Sequence, residues 1–397
     1  MAAKQWGIKR GWLLCIALFL LLRLTASFLG YTAALGPAPQ PLSNEPINAV
    51  AETLLRQDNF SHHFINIWKR WDTDWYLKIA AFGYDPNDGT AAYLPLYPWL
   101  TGRLASLTGD FLFSALLISN LAALAVFILF YEVARTEGLP SDQAGAAVIS
   151  LAIFPSAFFL IAAYTDSVFL AFTLGAWLAA RRRRWVLAGI LGGFATLTRL
   201  QGSLLTPVLG LLWLREIAGF RLLEPVTWRK ASAGFRNLSW LASLFPALTF
   251  VGWNLYLKAA RLGNITETLN SHWGIRTVLP WTGVRLFLER LLDTPRVFVD
   301  YIDLGSLAFI LTLLIFGLRR LDPTLSIYAW LNLALFFMRG TPPHLLDSFS
   351  RYMLAVFPAF LVMGGIPNRA ARFTLWAGSF TLQLFLLMGF LDWRWVA

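Results

Sequence analysis

The feature that most constrains this chain is a succession of apolar runs, each 15 to 25 residues long, that continues almost to the C-terminus. Runs of about 20 apolar residues cross a bilayer as helices, because a helix satisfies its own backbone groups where no water is present. Of the 397 residues, 57% are hydrophobic and 14% charged, with a mean hydropathy of +0.58. A soluble domain carries about a quarter charged residues. The pattern predicts an all-α polytopic membrane protein. Spans are expected near 11–35, 111–131, 144–163, 165–180, 185–198, 200–214, 238–257, 303–318, 324–338, 351–366 and 372–391, eleven in all.

Loop charges test this division, since short cytoplasmic loops carry the excess of Lys and Arg. With Lys4, Lys9 and Arg10 in the cytoplasm, alternate loops should be basic. Arg135, "RRRR" at 181–184, the stretch from Arg215 to Arg236, Arg319 with Arg320, and Arg369 with Arg372 then share one side. One long helix over 185–214 would break the alternation, so two short spans interrupted at "TRLQG" are preferred. The net charge of +11 is thereby a matter of topology and argues against nucleic acid as a partner. The basic start followed by an apolar stretch resembles a signal peptide, and "YTAALG" offers small residues for cleavage. The length of that stretch and the spans after it favour an uncleaved anchor.

Residues 1–397 read as a single membrane domain, with core helices over 111–214 and further helices over 237–397. Two long segments fall on the non-cytoplasmic side, 36–110 and 258–302. One cysteine, Cys15, excludes an internal disulfide, and the four histidines show no metal-binding spacing.

The acids of this acid-poor chain gather in "RWDTDWYLKIAAFGYDPNDG", which holds Asp72, Asp74, Asp85 and Asp88 among aromatic residues. Residues 62–82 alternate apolar and polar at roughly helical period, as an interfacial amphipathic helix does, and 93–107 looks similar. Asp72 and Asp74 are two apart, so on a regular helix they diverge by about 200° and serve one site only where the helix begins or breaks. Asp72 also suits an N-cap. Asp85 and Asp88 sit in a turn-forming context of Pro, Asn and Gly.

Asp166 and Arg199 are expected at the tips of tight hairpins on the same side, and Arg351 opens another span there, beside His344 and Asp347. Ionisable residues at membrane depth are costly and face a cavity or a partner. Carboxylates accept protons and guanidinium forks bind phosphate. A phosphorylated lipid substrate beside an acceptor hydroxyl would use both, and so would a transporter with coupled ion pairs. A transporter predicts charged or Gly/Pro-broken positions near the middle of several spans; here Arg23 and Pro207 are the exceptions to a pattern of polar helix ends.

Several ordered pieces resemble the PIG-V-type mannosyltransferases, which add the second mannose in GPI-anchor synthesis, have bacterial relatives and belong to the GT-C membrane glycosyltransferases. These pieces are "RWDTDWYLKIAAFGYD", "AAYLPLYPWL", the stretch from "FPSAFFLIAAYTDSVF" to "LTRLQG", and "SRYMLAVFPAFL", in order between residues 70 and 365. The resemblance implies a GT-C-like bundle whose active site is formed by the first large outer loop on the extracytoplasmic face of a bacterial plasma membrane. It implies a polyprenyl-phosphate sugar donor, mannose by family, and a glycolipid or glycan acceptor in the lipid bilayer. Carried over by position, the catalytic base falls on Asp72, with Asp74 as its acidic neighbour. The donor phosphate falls to Arg199 and Arg351, and Asp166, Tyr164, Trp71, Tyr84, Gln201 and Tyr352 are supporting or substrate-contacting positions. A donor with one phosphate needs no bridging metal, so no cofactor is expected. Another sugar, or a flippase of lipid-linked substrates, are the alternatives.

Overall fold

The computed structural model describes residues 2–36, 46–217, 219, 237–293, 297–340 and 345–396. His344 and the basic residues Arg221, Arg229, Lys230 and Arg236 lie outside the described residues. Among those described, all regular elements are helices, with one isolated antiparallel bridge between Thr277 and Arg339. Among the described residues, five helices are long and apolar enough to cross a membrane: Arg10–Ala34, Phe111–Thr136, Leu238–Ala259, Phe298–Gly317 and Arg369–Leu391. The chain is a multi-span helical membrane protein.

The other expected spans are shorter and interrupted. Ser141–Ala152, Asp166–Arg181, Trp185–Thr198, Leu205–Glu216, Pro323–Phe336 and Phe357–Gly364 hold 8 to 16 residues each. At 1.5 Å per residue, 14 residues reach about 21 Å, short of a hydrocarbon core of about 30 Å. The expected span 144–163 stops at Ala152, ahead of Phe154–Pro155, and resumes as a 3₁₀ turn over Ala157–Leu160. Proline supplies no amide hydrogen and disfavours helix in the residue before it. The expected span 351–366 is likewise divided, with Phe357–Gly364 carrying Pro358 in its first turn. Such breaks survive at membrane depth only inside protein. Residues 157–163 are accordingly buried.

Around these breaks the core is tight. The Asp166–Arg181 helix packs between Trp185–Thr198 and Phe111–Thr136. Gly189, Gly192 and Gly193 form a small-residue stripe on Trp185–Thr198. A Cβ at Gly189 would stand 2.3 Å from the Ala242 carbonyl oxygen, so only glycine admits the neighbouring 238–259 segment this closely. The hairpin at "TRLQG" is present: Arg199 is extended (φ −148°, ψ 146°), and Leu200–Leu204 turns the chain back. Consequently Arg199 reaches Asp166 at one end of the Asp166–Arg181 helix. At the other end Arg181 meets Glu216 and Glu137.

The first long loop departs from expectation. Instead of one amphipathic surface helix over 62–82, the chain makes Asn59–Phe64, a 3₁₀ turn at Asn66–Trp68, and the helix Asp72–Phe82. Trp68 is fully buried, with the Arg23 guanidinium 5.0 Å above its ring, and Ile67, Tyr76, Leu77 and Ile79 are buried with it. This segment is part of the core. Leu96–Thr108 keeps the interfacial character, with Trp99 and Leu107 exposed.

Candidate functional site

Four breaks in regular structure bring four charged side chains together. Asp72 and Asp166 are each the first residue of a helix, where a carboxylate meets the positive end of the helix dipole. Arg199 occupies the extended residue of the hairpin, and Arg351 follows a turn in which Asp347 and Ser348 both have positive φ (35° and 69°). Arg351 donates from Nη1 to Asp72 Oδ2 at 2.7 Å and from Nε to Asp166 Oδ2 at 3.1 Å. Arg199 donates from Nη1 to the other oxygen of Asp166 at 2.5 Å, and from Nε to Gln201 Oε1 at 3.4 Å. One carboxylate therefore ties two guanidinium groups, and a second carboxylate caps the end of the chain of pairs.

Aromatic rings wall this cluster. The Arg351 guanidinium lies 4.4 Å from the Tyr164 ring centre and 5.1 Å from that of Phe159. Tyr352 lies between two arginines, with Arg199 at 4.9 Å and Arg339 at 5.1 Å. Tyr164 donates to the Arg70 carbonyl at 3.0 Å, and Tyr93 donates to Asp72 Oδ1 at 3.4 Å. Burial is uneven: the side chains of Asp166, Arg199 and Arg351 are 4 to 8% exposed, whereas Asp72 is 28% exposed. Asp72 is the member of the cluster that faces outward.

Asp74 is elsewhere. It points to the far side of its helix, is fully buried, and lies 3.6 Å from Lys69 Nζ, which also bonds Glu52 at 2.9 Å. Burial pushes the Asp74 carboxyl up to about 7, opposed by the Lys69 charge. Neither carboxylate oxygen of Asp74 has a hydrogen-bond partner. Trp71 turns from the cluster as well, its ring edge-on to Trp393 and Trp395 at 5.6 and 5.0 Å. Tyr84 is one step removed, donating to the Tyr93 carbonyl at 3.0 Å. Asp85 and Asp88 each accept an amide hydrogen within their own turn.

Several residues of the site were not singled out by sequence. Tyr93 lies inside the quoted "AAYLPLYPWL", but nothing in the pattern aims its hydroxyl at Asp72. Asp300 and Asp303, buried in Phe298–Gly317, accept the amide hydrogens of Leu345, Phe349 and Ser350 and so hold the turn that presents Arg351. A signal for these two existed: acids at the start of an apolar run need partners. Arg339 pairs with Asp347 at 2.8 Å beside the same turn.

No family model and no curated sequence matches the chain. Among solved structures, it is similar to ArnT from Cupriavidus metallidurans bound to undecaprenyl phosphate, at 18% identity over 94% of this chain and 64% of that one, with a TM-score of 0.49. It is also similar to the Archaeoglobus fulgidus oligosaccharyltransferase in the apo form, at 12% identity over 96% of this chain and 56% of that one, with a TM-score of 0.46. The archaeal oligosaccharyltransferase AglB from Archaeoglobus fulgidus, in complex with an inhibitory peptide and a dolichol-phosphate, follows at 14% identity, 94% and 55% coverage and a TM-score of 0.42. The chain thus spans less than two thirds of the length of these proteins.

Proposed function

We propose that the protein is a GT-C-type glycosyltransferase that moves a sugar from a polyprenyl-phosphate donor to a hydroxyl of a lipid-linked or glycan acceptor, on the extracytoplasmic face. One observation carries this reading: an outward-facing carboxylate, Asp72, is hydrogen-bonded to a buried array of two arginines held by one shared acid, Asp166. A proton acceptor beside guanidinium forks is what transfer from a phosphate leaving group requires.

In this reading Asp72 takes the proton of the acceptor hydroxyl as its oxygen attacks the anomeric carbon in line, with inversion. The bond from that carbon to the phosphate oxygen breaks, and its electron pair leaves with the lipid phosphate. Arg351 and Arg199 stabilise the phosphate charge, Asp166 fixes both guanidinium groups, and Tyr164 and Tyr352 support their flat faces. Asp74, buried on the opposite side of its helix, takes no part in proton transfer. The ordered motifs between residues 70 and 365 resemble the PIG-V-type enzymes, and on that basis mannose is the proposed sugar. The positive loops support a cytoplasmic N-terminus, and the resemblance to bacterial relatives of that family is the ground for placing it in a bacterial plasma membrane.

The test is sugar transfer by detergent-purified protein from short-chain polyprenyl-phosphate-mannose to a panel of glycolipids. Wild type should turn over, and Asp72→Asn should lose about 10²- to 10⁴-fold in kcat, the usual contribution of a positioned base. Full activity in Asp72→Asn removes Asp72 from the role. Transfer from glucose or arabinose donors in place of mannose would reassign the sugar.

A further inference from the structure

We propose that Arg351 is held alternately by Asp72 and by the donor phosphate, so that arrival of the lipid phosphate releases the Asp72 carboxylate to act as base. The proposal rests on the glycosyl-transfer reading and adds an order of events to it: donor first, then acceptor.

Charge is the first argument. The cluster consists of two carboxylates, Asp72 and Asp166, and two guanidinium groups, Arg199 and Arg351. The next cation along, Arg339, is already matched by Asp347, through its carboxylate at 2.8 Å and its carbonyl at 2.9 Å. The array is neutral as it stands, and a neutral array has no surplus cation for an anionic donor. A phosphate is therefore charge-compensated in full only where one carboxylate gives up its arginine.

Geometry identifies which one. Asp166 is buried and bonded to both arginines, so displacing it would strand the desolvated Arg199 and take from Arg351 one of its two carboxylates, and removing one partner of a buried pair is strongly unfavourable. Asp72 holds Arg351 through one oxygen only, is 28% exposed, and has a second partner in Tyr93. It leaves Arg351 at the least cost. A phosphate oxygen replaces it well, since guanidinium–phosphate and guanidinium–carboxylate bonds are of the same charge-assisted kind.

The exchange also solves a problem for the base. In the present arrangement one lone pair of Asp72 Oδ2 takes the Arg351 N–H, and the guanidinium lies where an acceptor hydroxyl would approach that oxygen. Once phosphate takes that N–H, both lone pairs of Oδ2 are open to the acceptor hydroxyl proton, and Tyr93 remains to orient the carboxylate through Oδ1. The acceptor oxygen bonds to the anomeric carbon, its proton passes to Asp72, and the electron pair of the broken carbon–oxygen bond goes to the phosphate on Arg351. Departure of the lipid phosphate, and loss of the proton to solvent, lets Asp72 recapture Arg351.

Binding of undecaprenyl phosphate to the detergent-purified protein, measured calorimetrically without any sugar or acceptor, tests the exchange. Asp72→Asn frees Arg351 from competition and should tighten binding about tenfold. Asp74→Asn, the same substitution on the far side of the same helix, should leave it within about twofold. In an Arg351→Gln background the gain from Asp72→Asn should vanish. No gain in Asp72→Asn, or an equal gain with and without Arg351, overturns the proposal. If Asp72→Asn does not purify folded, Asp72→Glu keeps a carboxylate to hold Arg351 and should bind as wild type does; a tenfold gain there is equally fatal. Since no sugar is involved, absence of transfer from every donor would sink the enzymatic reading while leaving the phosphate exchange standing on its own result.

Discussion

Asp72 and Asp74 are chemically identical and two residues apart, yet the fold gives them opposite surroundings. Asp72 opens its helix beside Arg351; Asp74, about 200° around, is sealed against Lys69 without a hydrogen-bond partner. The consequence for Asp74 is a pH dependence of stability. Its carboxyl titrates near 7 in the folded chain against about 3.9 when unfolded. Between about pH 4 and 7 the folded form therefore holds a proton that the unfolded form has lost. Stability falls as pH rises through that window and the loss is complete above it. Lys69 keeps Glu52 as a partner when Asp74 is neutral, so Asp74→Asn removes the penalty without orphaning the lysine. The melting midpoint of Asp74→Asn in detergent should exceed that of wild type at pH 7.5 and match it at pH 4.5. The difference is on the order of a few kcal/mol, since each tenfold change in proton affinity is worth about 1.4 kcal/mol. Equal midpoints at both pH values would show that the buried carboxyl is not neutralised.

At the scale of elements, the charged residues of the site stand at interruptions, and that is why part of the site was legible. "TRLQG" was readable as a break because the basic loops on either side demanded it, and Arg199 followed as a hairpin tip. Asp166 and Arg351 were readable as ionisable residues at the edges of apolar runs. Hydropathy has no means of telling a run that crosses the membrane from one that breaks inside the protein. The divisions of 144–163 and 351–366 were missed for that reason. The same limit turned residues 62–82 into a surface helix, since an apolar stripe is the same whether lipid or protein covers it. The pairing of Arg351 with two acids 185 and 279 residues away is a tertiary fact that no local pattern carries. The hairpin itself yields a test at Gly202, whose absent Cβ would lie 2.2 Å from the Thr196 nitrogen and 2.4 Å from the Ala195 carbonyl carbon. Both neighbours are backbone and have nowhere to go. Gly202→Ala should therefore cost about 1–3 kcal/mol as an overpacked contact, and displace Arg199 so that, on the proposed reading, phosphate binding weakens as well. Gly210→Ala, where the nearest atom is Ser243 Oγ at 3.6 Å, should be tolerated. Undiminished phosphate affinity in Gly202→Ala would mean that the hairpin does not fix Arg199.

Across the whole molecule, the site is assembled from segments far apart in the chain, and the last of them does not touch the charged cluster. The stretch Leu391–Trp395 folds back onto residues 69–71. Arg70 donates from Nε and Nη2 to the Leu391 carbonyl at 3.1 and 2.7 Å, and its guanidinium lies 4.9 Å from the Trp393 ring. Trp71 sits edge-on to both Trp393 and Trp395 and has φ 53° and ψ −117°, a backbone conformation that a bulky residue adopts only under constraint. Trp71 is the residue from which the Asp72 helix springs, so the strain sets where Asp72 begins and what it faces. Without the clamp, Trp71 relaxes and the carboxylate moves, and misplacement by about 1 Å is enough to cost 10²-fold in rate. On the proposed glycosyl-transfer reading, Trp393→Ala should thus lower kcat by about 10- to 100-fold without weakening undecaprenyl phosphate binding, because Arg199 and Arg351 are set by other segments. Trp393→Phe, which keeps an aromatic edge for Trp71, should restore most of the turnover. A loss of turnover matched by an equal loss of phosphate affinity would mean that the segment supports the bundle as a whole. A selective fall in kcat would make these residues the support that aims Asp72 at the acceptor.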